Sequence, residues 1–206
     1  LRIPGFELGE VRYVRSGTGF LVLGLIGGLL SDILSRGSWF EPLVYWAPEN
    51  FTLRFSFVFI GLIAVINLVS MLAVVVSHRF FKERFWENYS MFALALLPLT
   101  CMSFLAFHTY YLLILGPQIL GLLGQYFGLG TAVMPPETII PHQTIFIFQL
   151  GMIIVGLVWS MITVYRLGSA APVSGPARYF GVAPHLIFAS CVALVFGLVI
   201  RNVTLA

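Results

Sequence analysis

Charge is what this sequence has least of. Only 9% of its 206 residues are Asp, Glu, Lys or Arg, against about 25% in a soluble domain. That scarcity excludes an ordinary water-facing surface. The pI near 9.1 rests on eleven basic residues, which in such a chain set membrane orientation and imply no nucleic-acid partner. Cysteine is equally sparse. Cys101 and Cys191 both fall inside apolar runs, which argues against a structural disulfide or a thiolate metal site and reads as small packing residues. No CxxCxxC run is present, so the chain carries no iron-sulfur cluster of its own. Also missing are an HExxH pair, a phosphate-binding glycine loop and a Ser/His/Asp set with a credible acid partner. The apolar runs lack the polar lining of an ion pathway.

What is there is apolar: 59% hydrophobic residues, 15% aromatic, mean hydropathy +0.98. The fold class that follows is an all-α integral membrane protein. Its organising stretch is Tyr89 to Gly130, which carries no charged side chain and is roughly twice the ~20 residues that cross ~30 Å of hydrocarbon. Gly116-Pro117 predicts a break: a spanning helix over 90–115, then a short interfacial helix. The remaining spans fall at 17–35, 55–77, 144–165 and 180–200. Residues 1–16 form an N-terminal segment on the cytoplasmic side, and residues 17–206 a five-helix transmembrane domain. The chain opens on Leu1 without a signal-peptide pattern before Gly17, which suggests that a leader or a longer N-terminal part precedes it.

The first span is rich in glycine (Gly17, Gly19, Gly24, Gly27, Gly28), a composition that lets a neighbouring helix approach closely. Asp32 near its far end has Arg36 one turn on, which reads as a partly neutralised interfacial carboxylate. Asn67, close to the middle of the second span, should face the bundle and bond to a neighbour. Residues 39–51 form an aromatic, proline-punctuated interfacial loop, and residues 167–178 a turn-rich loop. Asn202-Val203-Thr204 matches a glycosylation sequon, a weakly specific motif.

Five spans put the termini on opposite sides. With the N-terminus inside, eight basic residues lie on the inner face (Arg2, Arg12, Arg15, Arg79, Lys82, Arg84, Arg166, Arg178) and three on the outer (Arg36, Arg54, Arg201). The positive-inside rule favours that orientation, in a bacterial or archaeal cytoplasmic membrane.

Four histidines then form two layers. His108, about 17 residues into the third span and hence ~25 Å from the inner boundary, and His142, at the mouth of the fourth, lie toward the outer side. His78 and His185 lie toward the inner side. Imidazoles on several helices of a bundle are how transmembrane b haems are held. His108 and His142 are therefore candidate haem-iron ligands, and all four histidines candidate cofactor contacts. Tyr110, Tyr111 and Gln118 would suit a quinone headgroup or haem-propionate pocket. Hydrated interfacial imidazoles in an ordinary aromatic belt account for the same residues.

The stretch ALLPLTCMSFLAFHTYYLLILG (Ala95 to Gly116) resembles a helix of the membrane-bound polyferredoxin proteins. These are four-iron-four-sulfur membrane proteins related to accessory electron carriers of nitrous-oxide and nitrate reductases. FQLGMIIVGLVWSMITVYRLG (Phe148 to Gly168) and APHLIFASCVALVFGLV (Ala183 to Val199) resemble the last two spans of the same group. The resemblance covers about half the chain and lacks the family's cysteine clusters, so it corresponds to a membrane-only portion. It implies electron transfer between the quinone pool or a periplasmic partner and a reductase, with His108 in the position of a family histidine.

The expected function is thus a membrane subunit of a respiratory or redox complex. It would hold b haem or quinone near the outer face, among lipid and partner subunits of the iron-sulfur or cytochrome kind. A non-catalytic anchor or assembly subunit with structural histidines is the alternative. A small-solute transporter is the weakest reading, since only Asn67 offers a polar group near the midplane and no internal repeat is visible.

Overall fold

The computed structural model describes residues 17–47, 49–81, 84–128, 140–170 and 175–205, with the side chains of Pro117, Gln118, Leu120 and Ala170 left out. The N-terminal segment 1–16 and most of the loop 131–141 lie outside the described residues. The described chain is helical, with no strand among these residues: α1 Gly17–Ser35, α2 Phe40–Val44, α3 Phe51–His78, α4 Phe85–Leu94, α5 Leu97–Tyr126, α6 His142–Ala170 and α7 Pro176–Leu205. Among the described residues five stretches are long and apolar enough to cross a membrane: Gly17–Ser35, Phe51–His78, Phe85–Gly116, His142–Ser169 and Pro176–Leu205. This is an all-α integral membrane protein. Its exposed face is lined with Leu, Ile, Val and Phe along α3, α6 and α7, as suits a surface solvated by lipid.

The third span is made of two helices, and its break is not where the sequence suggests. Helix α5 runs without interruption through Gly116-Pro117 to Tyr126, so among the described residues the stretch after Pro117 continues the spanning helix and is not a separate interfacial one. A proline removes only its own amide bond, whereas ending a helix in apolar surroundings leaves several backbone groups to be satisfied. The break falls instead at Ala95-Leu96, ahead of Pro98. There the missing amide lies in the first turn of α5, where it would have had no helical partner anyway. The freed Leu99 amide donates to Ser160 Oγ of α6 at 3.1 Å. Gly156, one turn earlier on α6, has no room for a Cβ, which would stand 3.0 Å from the Leu99 Cα. Small residues at 156 and 160 thus let α6 close over the break.

Helices α3, α6 and α7 also run past their expected ends. Asn50 caps α3 through its Oδ1, which accepts from the Thr52 and Leu53 amides, so α3 begins before Phe55. Helices α6 and α7 extend into the stretch read as a loop at 167–178, and α7 accommodates Pro184 in its interior.

Helix α1 packs against α3, α4 and α7, while α5, α6 and α7 form a second tightly packed set. The expected close approach of α1 occurs at two of its glycines. A Cβ on Gly27 would stand 3.0 Å from Ile63 backbone, and one on Gly19 would meet the Tyr89 ring at 2.7 Å; Gly17 and Gly24 face open space. Asn67 faces the bundle as expected. Its Nδ2 donates to the Ile63 carbonyl at 2.7 Å and its Oδ1 accepts from the fully buried Tyr89 hydroxyl. Cys101 and Cys191, by contrast, are exposed on the outward faces of α5 and α7, so neither is a packing residue.

Candidate functional site

One end of the bundle gathers the polar chemistry. It is formed by the end of α1, the α1–α2 turn, the middle of α5, the start of α6 and the end of α7, and is called here the Arg36 end. Arg36 follows α1 directly. Its Nη2 and Nε donate to Asp32 Oδ1 at 3.1 and 3.2 Å, one helical turn back. The same guanidinium reaches across to α5. Its Nη1 donates to the Tyr111 hydroxyl at 3.4 Å, and its carbon lies 5.2 Å from the Tyr111 ring centroid and 5.6 Å from that of Phe107, a cation-π arrangement. Partial burial opposes the charge on Arg36, but its hydrogen bonds to Tyr111 and Asp32 outweigh it and hold its pKa above the ordinary arginine value. Arg36 is therefore a fixed positive charge between α1 and α5.

The cluster continues sideways. Tyr111 meets Tyr110 edge-on at 5.4 Å, and the Tyr110 ring lies 6.0 Å from the His142 ring at the start of α6. Asp32, Arg36, Tyr111, Tyr110 and His142 thus make one half-exposed polar and aromatic patch over three helices. Both Asp32 and Arg36 keep more than 40% of their side chains exposed (41% and 48%), so the patch is open to a ligand from outside.

The four histidines are not brought into pairs. His108 is exposed and turned to its own helix, with Nδ1 3.0 Å from the Phe104 carbonyl and its ring 4.0 Å from that of Phe104. His142 sits beside Tyr110, two residues along α5 from His108, and positions two apart on a helix are about 200° apart around its axis. The two candidate haem ligands therefore lie on opposite sides of α5.

At the other end, His78 is exposed at the end of α3 with its ring 6.4 Å from that of Phe85. His185 is 3% exposed and stacked flat on Phe92, 3.6 Å between centroids and 8° between planes. Phe85 and Phe92 are two turns apart on α4, ~10 Å along its axis, so these two imidazoles do not face each other either. Gln118 lies on α5, seven residues beyond Tyr111; its side chain is outside the described set. No group of three or more His, Cys, Asp and Glu that could hold a metal ion occurs among the described residues. A haem held between two facing imidazoles does not fit this arrangement; a quinone headgroup needs no such pair.

Two features of this end escape the sequence pattern. Arg36 reads there as a mere counter-ion of Asp32, because its partner Tyr111 is 75 positions away. Gln149 carries no motif or spacing that marks it, yet it is completely buried. Its Nε2 donates to the Ala106 carbonyl at 2.9 Å and its Oε1 accepts from Thr204 Oγ1 at 2.9 Å, tying α5, α6 and α7 together. A glutamine amid apolar residues of a span was the available signal. Thr204 and Asn202, the sequon residues, are both engaged within the chain: Thr204 is buried against Gln149, and Asn202 Nδ2 donates to Ser38 Oγ at 2.8 Å. The motif is structural here. No family model, curated protein or solved structure matches this chain.

Proposed function

We propose that this chain is a membrane subunit of a redox complex that receives a quinone headgroup at the Arg36 end, between α1 and α5. The observation that carries the reading is the Asp32-Arg36-Tyr111 cluster, a fixed cation, an exposed carboxylate and a phenol at the end of a spanning helix. Quinone carbonyls are hydrogen-bond acceptors on an apolar ring. Arg36 offers donors, and Tyr111, whose oxygen already accepts from Arg36, has its own proton left to give. The Phe107, Tyr110 and Tyr111 rings offer apolar faces for the headgroup. Oxidising a hydroquinone releases two protons and two electrons. Asp32 and His142 are the bases at this end, and the electrons would pass to a partner subunit carrying iron-sulfur or haem centres.

The resemblance of residues 95–199 to membrane-bound polyferredoxin proteins agrees with this assignment. So does the excess of eight basic residues over three on the opposite side, which would place the Arg36 end on the outer side of a bacterial or archaeal cytoplasmic membrane with the N-terminus inside. The second reading, a non-catalytic anchor or assembly subunit, is favoured by His185, which is sealed against Phe92, and by His108, which is turned to its own helix.

A photoreactive quinone analogue separates the two. The redox reading expects light-dependent labelling of α5 near Tyr110-Tyr111, reduced by excess unlabelled quinone and by Arg36→Gln. Labelling spread over the lipid-facing surface and indifferent to Arg36 leaves the anchor reading.

A further inference from the structure

A cleft of about 450 Å³ opens at the Arg36 end between the α1–α2 turn and the end of α7, lined by Ser38, Trp39, Leu198, Arg201, Asn202 and Leu205. Its floor is fixed. Asn202 Nδ2 donates to Ser38 Oγ at 2.8 Å and Asn202 Oδ1 accepts from the Trp39 amide at 3.3 Å, so the α1–α2 turn is clamped to the last turns of α7. Gly37 has no space for a Cβ against Asn202, which keeps the two elements in contact. The Asn202 amide is used up by this clamp. Arg201 is not. It is exposed, and none of the described acids lines the cleft: Asp32 pairs with Arg36, Glu41 with Arg54 at 2.7 Å and Glu87 with Arg84, while Glu49 stands ahead of α3 outside the lining. Among the described residues Arg201 has no carboxylate partner.

The wall of the cleft continues into the apolar belt. Leu194, Leu198, Arg201 and Leu205 follow at intervals of four, three and four, one stripe of a helix, and Leu194 and Leu198 are exposed at 65% and 41%. Trp39, 47% exposed, stands opposite with an indole N–H that has no acceptor among the described residues, and the Ser38 hydroxyl proton is equally uncommitted. A ligand that fits must bring negatively charged oxygens to the helix end and an apolar chain along the stripe below.

We infer that this cleft is a binding site for one anionic phospholipid. Its phosphate takes the Arg201 guanidinium, which matches phosphate oxygens in a two-point fashion, together with the Ser38 hydroxyl and the Trp39 indole. An acyl chain lies along Leu198 and Leu194. No carboxylate of the described residues lines the cleft to receive a choline-type cation, so an anionic headgroup is preferred over a zwitterionic one.

The test is native mass spectrometry of the detergent-purified full chain with phosphatidylglycerol or phosphatidylcholine. Wild type, Arg201→Gln, Arg201→Lys and Arg84→Gln are compared at matched thermal stability. Arg201 is exposed and has no carboxylate partner among the described residues, so its variants should fold. The site predicts retention of one phosphatidylglycerol, about tenfold weaker in Arg201→Gln, partly restored in Arg201→Lys and unchanged in Arg84→Gln. It also predicts no such dependence for phosphatidylcholine. Equal phosphatidylglycerol binding in wild type and Arg201→Gln overturns the inference. Full displacement of the lipid by millimolar inorganic phosphate also overturns it, since the site would then be one for free anions.

Discussion

Thr204 Oγ1 donates to Gln149 Oε1 at 2.9 Å while Gln149 Nε2 donates to the Ala106 carbonyl at 2.9 Å. Three helices meet at this one amide, and nothing else about residue 149, buried among apolar neighbours, would favour a polar side chain.

Replacing Gln149 with Leu keeps most of the volume and removes both bonds. In a membrane bundle such interhelical hydrogen bonds contribute about 0.6–2 kcal/mol each. The expected loss for Gln149→Leu is therefore about 1–4 kcal/mol, read as a lowered unfolding midpoint in detergent. Thr204→Val should cost less, because it leaves the Ala106 bond in place. A Gln149→Leu variant as stable as wild type would remove this amide from the account of how α5, α6 and α7 are joined.

The glycines of α1 separate by position. A side chain at Gly27 collides with Ile63, backbone included, whereas Gly24 faces open space. Gly27→Val should push α1 from α3 and lower the melting temperature sharply. Gly24→Ala should be neutral or slightly stabilising, since alanine favours a helix over glycine by ~1 kcal/mol. Equal effects at the two positions would contradict the packing of α1 on α3.

Tyr89 and Asn67 form a buried pair between α4 and α3. A double-mutant cycle with Tyr89→Phe and Asn67→Leu should return a coupling of about 0.6–2 kcal/mol. Strict additivity would mean that the bond does not stabilise the fold.

His185 is stacked on Phe92 and its Nε2 has no partner. Phenylalanine offers a similar ring without the buried unsatisfied nitrogen, whose cost is about 1–3 kcal/mol. His185→Phe should be neutral or stabilising in thermal melts and should leave quinone binding unchanged. A variant that folds yet loses quinone binding or a visible haem band would give His185 a functional role.

The legibility of this chain in its sequence follows from physics. Apolar runs report the spans directly, because hydrocarbon tolerates little else, and α1 has the bounds that its composition suggests. The Asp32-Arg36 pair was legible too, since four residues is one helical turn. The position of the break was not. Gly116-Pro117 and Leu97-Pro98 are both proline signals, and which of them interrupts the helix depends on whether a neighbouring residue, here Ser160, stands ready to take the freed amide. The outward-facing cysteines and the clamp at Asn202 were hidden for a related reason: a span that is apolar all round carries no stripe to tell its buried face from its lipid face. The Arg36-Tyr111 contact joins positions 75 apart, and no local spacing encodes it.

The most direct test of the central claim is the dissociation constant of a water-soluble quinone analogue for the chain in nanodiscs, with Arg36→Gln and Tyr111→Phe measured beside wild type. A charge-assisted hydrogen bond is worth about 1.5–3 kcal/mol, or roughly ten- to a hundredfold in affinity. The account predicts saturable binding that weakens by at least about tenfold in Arg36→Gln and by less in Tyr111→Phe, with Gly24→Ala unchanged. Binding that is absent in wild type, or identical in all four proteins, contradicts it and leaves the chain an anchor.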